Sequence, residues 1–275
     1  MMWIAVLTAL VFSTPTVDAT PPSLNCIAVI GASASAGWGV VIPAEPGSEP
    51  VPLHHAHIDL ADVLPAVLIG ITPKITDHAN NFFFSDPITI GNAEMSAAMA
   101  TDPTLIVGVD FLFWYAYGSR PENTRLPLLE LGLKELERFD GTLLVGDIPD
   151  VTAAASAKPI AFISTKLIPQ PRTLDAINAR IREWADARPR THIIPLAGTL
   201  HSWQNGQPPH LNGHLWNDDV RIIQFDELHP TAAGLIAIAE LVAESINNTI
   251  QPVAVQADPN IVLTSLRTKP PEIYK

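Results

Sequence analysis

The sequence predicts an α/β fold: a three-layer α/β/α sandwich whose central sheet is mainly parallel. Three observations predict it. Short apolar runs at residues 26–31, 104–109 and 142–146 read as strands buried on both faces. Stretches with helical spacing separate these runs, as the crossover connections of a parallel sheet require. The first run ends in Gly31-Ala32-Ser33-Ala34-Ser35, which leaves a hydroxyl at the carboxyl edge of the sheet, where open α/β folds keep their chemistry.

In chain order, residues 26–31 form the first strand, with Cys26 buried where it begins. Residues 38–57 hold Pro43, Pro46, Pro50 and Pro52, so this stretch is an exposed loop, placed to wall the mouth of a site. Helical spacing over 58–68 is interrupted by Pro65, and the next strand candidate is 74–84. Residues 90–100 read as a helix stopped by Asp102-Pro103, ahead of the strand at 104–109. A clear amphipathic helix at 126–139 feeds a strand and its exit loop at 142–149, and a helix at 172–188 feeds strand 191–196. A polar, Trp-containing insert at 198–220 precedes the last helix, 231–246. The division expected is residues 1–19 as a signal peptide, one domain over 20–250, and a loosely ordered polar tail at 251–275.

Composition narrows the partners. With 16 basic and 28 acidic residues, net charge -12, the chain is ill suited to a nucleic-acid backbone or an anionic membrane surface, and favours a neutral or cationic ligand. Its single cysteine makes no internal disulfide, so the core must hold the fold. The apolar run at 4–12, followed by Val17-Asp18-Ala19, reads as a secretory signal and is too short to span a bilayer. The expectation is a secreted or periplasmic protein with no stable membrane insertion.

The late segment Asp226-Glu227-Leu228-His229-Pro230 is the most informative for chemistry. A carboxylate three positions before a histidine, in a turn stiffened by proline, can present both side chains on one side of a loop, where the acid orients the imidazole. The imidazole then needs a hydroxyl, and Ser33 supplies one. Ser33 as nucleophile, His229 as general base and acid, and Asp226 as its orienting acid make the three protein groups of acyl transfer.

The run from Ile27 to Ser33 and the block Asp226-x-x-His229-Pro230-Thr231-Ala232-Ala233-Gly234 resemble the first and last sequence blocks of the SGNH, or GDSL-like, hydrolases. The first block departs at Ala32, where that family usually has Asp. The resemblance spans residues 27–246 and implies a flavodoxin-like α/β/α sandwich. It also implies an esterase working through an acyl-enzyme on Ser33 without metal or organic cofactor, on a small-molecule ester or an acylated glycan or lipid. A catalytically impaired domain that binds an acylated glycan or lipid, and an acyltransferase, are the alternatives.

The oxyanion donors are where the chain departs most. The family supplies an asparagine in a Gly-x-Asn-Asp block after its third strand; here Gly108-Val109-Asp110 puts an acceptor in that place, and a second alignment puts Phe113 and Trp114 there. Asn80, Asn81 and Gly91 lie in the region of the family's second-block glycine. Asn81, Asp110 and Trp114 are therefore the candidates for oxyanion or substrate contact. The aromatic run 111–117 divides between core and substrate pocket. His54, His55, His57 and His78 lack carboxylate partners at ligand spacing, so no metal is expected. Asp147 and Asp150 read as turn residues, and His201, Trp203 and His210 could shape access to the site.

Overall fold

The computed structural model describes residues 24–42, 57–157, 163–217 and 220–268. The signal-peptide reading, His54, His55 and most of the proline-rich loop fall outside them.

The sheet consists of β1 (Cys26–Val29), β2 (Lys74–Asp77), β3 (Leu105–Gly108), β4 (Thr142–Gly146) and β5 (Thr191–Ile194), ordered β2-β1-β3-β4-β5. All four pairings are parallel. This is the flavodoxin-like doubly wound order, with its switch point between β1 and β3. Period-two alternation sorts the side chains: Ile27, Val29, Leu105 and Val107 face one core, and Ala28, Ile30, Ile106 and Leu143 the other. The first core is covered by α1 (Leu60–Val67) and α5 (Ala232–Thr249). The second is covered by α2 (Pro87–Met99), α3 (Glu122–Leu136) and α4 (Pro171–Asp186).

Local chemistry sets the element ends. Asp59 caps α1 by accepting from the Asp62 amide at 2.8 Å, and the helix continues through Pro65 because only one intrahelical bond is lost while Val63, Leu64 and Val67 are buried. β2 stops at Asp77, well short of the expected end, because Asn80 Oδ1 takes the Phe82 amide in a turn. Asp86 caps α2, and Thr231 caps α5 by accepting from the Gly234 amide. Helical residues Leu196–Gln204 begin inside the expected strand 191–196 and run into the insert expected at 198–220, which also holds a small ribbon pairing His210–Leu211 with His214–Leu215.

The tail differs from expectation. Ala254–Val255 pairs antiparallel with Leu68–Ile69, and the helix Pro259–Thr268 places Val262 and Leu266 in the first core. The apolar pair at spacing four gives this segment one face to bury, which outweighs its polar composition. Leu266→Ala is expected to lower stability by about 2 kcal/mol, read as a lower urea midpoint with an unchanged slope.

Candidate active site

Ser33 stands on the turn that leaves β1. Its neighbours hold that turn from below: Asp110 Oδ1 accepts from the Ala32 amide at 2.9 Å and from Ser35 Oγ at 2.6 Å. Its Oδ2 accepts from the amides of Ala34 at 2.8 Å and Ser35 at 3.4 Å. A carboxylate that receives four donors is a clamp. The clamp explains Gly31, whose φ of +145° suits glycine and where a Cβ would run into Asp110 Oδ1 and Ser35 Oγ. The Ser33 amide itself has no acceptor among the described residues.

A second carboxyl lies beneath the first. Glu94, on α2, accepts from the Gly31 amide at 2.9 Å and is almost fully buried. Burial raises its carboxyl, the Gly31 hydrogen bond opposes the rise and nearby Asp110 adds to it, leaving Glu94 at about 9 and neutral at pH 7. Burial also pushes Asp110 up, against its hydrogen bonds from Ser35 and the turn amides. Because the unfolded value of Glu94 is near 4.5, its neutral form contributes stability below that pH, and the contribution is lost as pH rises through about 9. Glu94→Gln keeps an acceptor for Gly31 and removes the titration. It should flatten the decline of stability between pH 5 and 9, by up to about 1.4 kcal/mol per pH unit, in a series of denaturant melts.

His229 and Asp226 come from the loop before α5. Asp226 Oδ1 accepts from the amides of Leu228 and His229, both at 3.0 Å, and Oδ2 lies 2.7 Å from His229 Nδ1. Burial pushes Asp226 up, but hydrogen bonds from the His229 ring and from the His229 and Leu228 amides outweigh it and hold the carboxyl below its usual range. Glu227 takes a left-handed φ of +56°, which lets the loop turn tightly between acid and imidazole. His229 Nε2 lies 3.0 Å from Ser33 Oγ, across 196 residues of sequence. Gln224 fastens the two halves: its Nε2 donates to Trp38 O at 2.7 Å and Pro230 O at 2.8 Å.

Beside Ser33 and His229 opens an apolar cavity of about 120 Å³. Its walls come from the carboxyl ends of β3 and β4, from Leu196 and Leu200, from Leu211 on the ribbon, and from Ala237, Ile238 and Leu241 on α5. The ribbon is pinned to α5 by Trp216 Nε1, which donates to Glu240 Oε2 at 2.9 Å, and by Asn212 Nδ2, which donates to Glu240 O at 2.7 Å.

In overall fold the molecule resembles solved structures. A lipase/acylhydrolase from Enterococcus faecalis matches with 16% identity, covering 83% of this chain and 98% of that one, at a TM-score of 0.53. A protein from Parabacteroides merdae described as a GDSL-like lipase matches with 13% identity, covering 83% and 99%, at 0.50. The fold is the SGNH/GDSL hydrolase fold. A gut microbial diltiazem-metabolizing enzyme matches with 12% identity over 84% of this chain and 48% of that one, at 0.51. No family model matches the sequence, and no curated protein matches it.

Within this SGNH-type fold the remaining candidates separate. Asp110 cannot serve as an oxyanion donor, because both oxygens accept from the Ala32–Ser35 turn. Trp114 lines the cavity together with Phe113, whereas Phe111, Tyr115 and Tyr117 are core. Asn81 is half-buried, with Oδ1 lacking a partner among the described residues; the preceding Asn80 donates its amide to Gly31 O at 2.8 Å. Asp147 borders the cavity and accepts from the Ala197 amide at 2.7 Å, capping helical residues Leu196–Gln204, while Asp150 accepts from Thr152 in a turn. His201 faces Asn205, and His210 is exposed on the ribbon. Among the described residues no group of three His, Cys, Asp or Glu side chains is placed to hold a metal, and no helix is long and apolar enough to cross a membrane.

Glu94, Ser35 and Gln224 make contacts around Ser33 and His229 that sequence reasoning did not single out. Glu94 had a visible signal, a carboxylate inside the buried stripe Gly91, Met95 and Ala98 of α2. Gln224 had none.

Proposed function

We propose that this protein is a serine ester hydrolase working through an acyl-enzyme on Ser33. The observation that carries the reading is the continuous hydrogen-bonded path from Asp226 through His229 to Ser33 Oγ at the mouth of an apolar cavity. In this mechanism His229 Nε2 takes the Ser33 proton as Oγ forms a bond to the ester carbonyl carbon, and Asp226 stabilises the resulting imidazolium. The tetrahedral oxyanion is met by the Ser33 amide. The carbon–alkoxide bond then breaks, the alcohol leaves with the His229 proton, and water repeats the sequence to release the acid.

Asp110, whose two oxygens are taken by the Ala32–Ser35 turn, stands in place of a side-chain donor, which weighs against strong oxyanion stabilisation and for slow turnover; one missing donor costs about 10²–10³ in rate. Transfer of the acyl group to another hydroxyl uses the same three groups, and product analysis with a sugar or alcohol acceptor would reveal it. A fluorophosphonate probe is expected to label the wild type and not Ser33→Ala. A wild type that resists labelling and turns over no aryl ester would instead support a binding domain for an acylated glycan or lipid. Export is proposed on residues 4–19 alone.

A further inference from the structure

We infer that Gln224 is a positioning residue for the acyl-transfer step: its side-chain amide, by donating to the loop after Ser33 and to the His229 loop together, sets how closely His229 Nε2 approaches Ser33 Oγ. The inference rests on the hydrolase reading.

The hydrogen bonds around these residues close into a circuit. Ser33 O accepts from the Trp38 amide at 2.9 Å, Trp38 O accepts from Gln224 Nε2 at 2.7 Å, and the Gln224 amide donates to His229 O at 2.8 Å. The 3.0 Å contact between His229 Nε2 and Ser33 Oγ completes it. Three links are made by the backbone and by Gln224, and the fourth is the one along which the proton would move. With three links fixed, the fourth has little freedom.

Gln224 has a rigid base from which to reach across. Residues 221–224 run beside residues 229–231: Ile223 forms an antiparallel bridge with Pro230, the Thr231 amide donates to Ile222 O at 2.9 Å, and Thr231 Oγ1 donates to Arg221 O at 2.7 Å. On the other loop Gly39 takes a φ of +67°, and a Cβ there would lie 3.1 Å from Gln224 Oε1, so glycine leaves room for the amide. The Trp38 ring lies 6.0 Å from the His229 ring and 6.4 Å from Phe82, which leads to Phe84 at 6.3 Å and from there to Trp114 at 5.8 Å. Phe82 and Phe84 are 61% and 51% exposed, so these rings restrain the Trp38 loop less than a packed core would.

Counting hydrogens explains the residue type. Trp38 O and Pro230 O, at 2.7 and 2.8 Å from Gln224 Nε2, only accept, and a primary amide has two hydrogens, one for each. A carboxylic acid has one and a thioether none. Without both donors the two loops can part, and a displacement near 1 Å at a reacting group costs about 10² in rate.

The test uses the full chain with Gln224→Glu, which keeps the shape with at most one hydrogen to give, and Gln224→Met, which keeps the length with none. Denaturant melts establish that each is folded. For an activated aryl ester kcat should fall about 10²-fold in both while KM stays within about twofold, and fluorophosphonate labelling of Ser33 should slow by a similar factor. Beside His229→Ala neither substitution should lower the residual rate further, because there is no imidazole left to align; damage to the fold or to substrate binding would persist there. Folded variants with wild-type kcat, a change confined to KM, or a loss that persists in full beside His229→Ala would each overturn the inference alone. Failure of both variants to fold would overturn it too, since Gln224 would then serve the fold. A wild type that neither labels nor turns over the ester would overturn the hydrolase reading and this inference with it.

Discussion

Ser33→Ala is expected to lower kcat by about 10⁴–10⁶-fold with little change in KM, and His229→Ala by a similar factor. On the proposed mechanism the two groups act as one unit through the 3.0 Å contact between Nε2 and Oγ, so the double variant should be no slower than either single one. Asp226→Asn should cost about 10³–10⁴ for a reason visible in the loop. Oδ1 is held by the Leu228 and His229 amides, so the new amide nitrogen must take the place of Oδ2, facing His229 Nδ1. A donor there forces the ring proton onto Nε2, the atom that has to accept from serine. Steady-state kinetics on one activated ester checks all four variants. A double variant slower than the singles by the product of their effects would show that Ser33 and His229 do not act together.

The second large effect is expected at Asp110. Its two oxygens take four donors from residues 32–35. Asparagine offers one oxygen and turns its amide group toward N–H groups that have no other acceptor; each buried donor left unmet costs about 1–3 kcal/mol. Asp110→Asn should therefore lose about 2–4 kcal/mol of stability. It should also lose up to about 10² in kcat, the order of effect that a displacement near 1 Å produces at a reacting group. The opposite result is informative. A faster Asp110→Asn enzyme would mean that the side chain faces the oxyanion and that its charge, not its grip on the turn, governs the rate. Chemical denaturation together with kcat on the same ester separates the two roles.

These two sites differ in how far the sequence exposes them. Ser33 stands out because a strand of apolar residues ends in Gly31 and small side chains, and Asp226 and His229 because acid and base lie three residues apart before a capped helix. Each is a short-range pattern. Asp110 could be seen in the sequence as a residue in an unexpected place, yet its task is performed on atoms 75 to 78 residues away. Glu94 grips Gly31 across 63 residues, and Gln224 reaches Trp38 across 186. The docked helix Pro259–Thr268 was hidden for a related reason. Its two buried side chains, Val262 and Leu266, need the apolar surface of α1 and α5, against which the helix packs.

The amino-acid order alone determined the alternation of strands and helices, the two cores they bury, and the segments that present serine, acid and imidazole. Periodicity and capping act between residues a few positions apart, so the linear pattern contains them. The crossing of the chain decided the rest: the clamp beneath the Ala32–Ser35 turn, the cavity between α5 and the ribbon, and the exposed aromatic chain from Trp38 to Trp114. Those features consist of contacts between segments whose separation along the chain is large and whose meeting depends on strand order. Only the assembled sheet brings them within hydrogen-bonding or van der Waals distance.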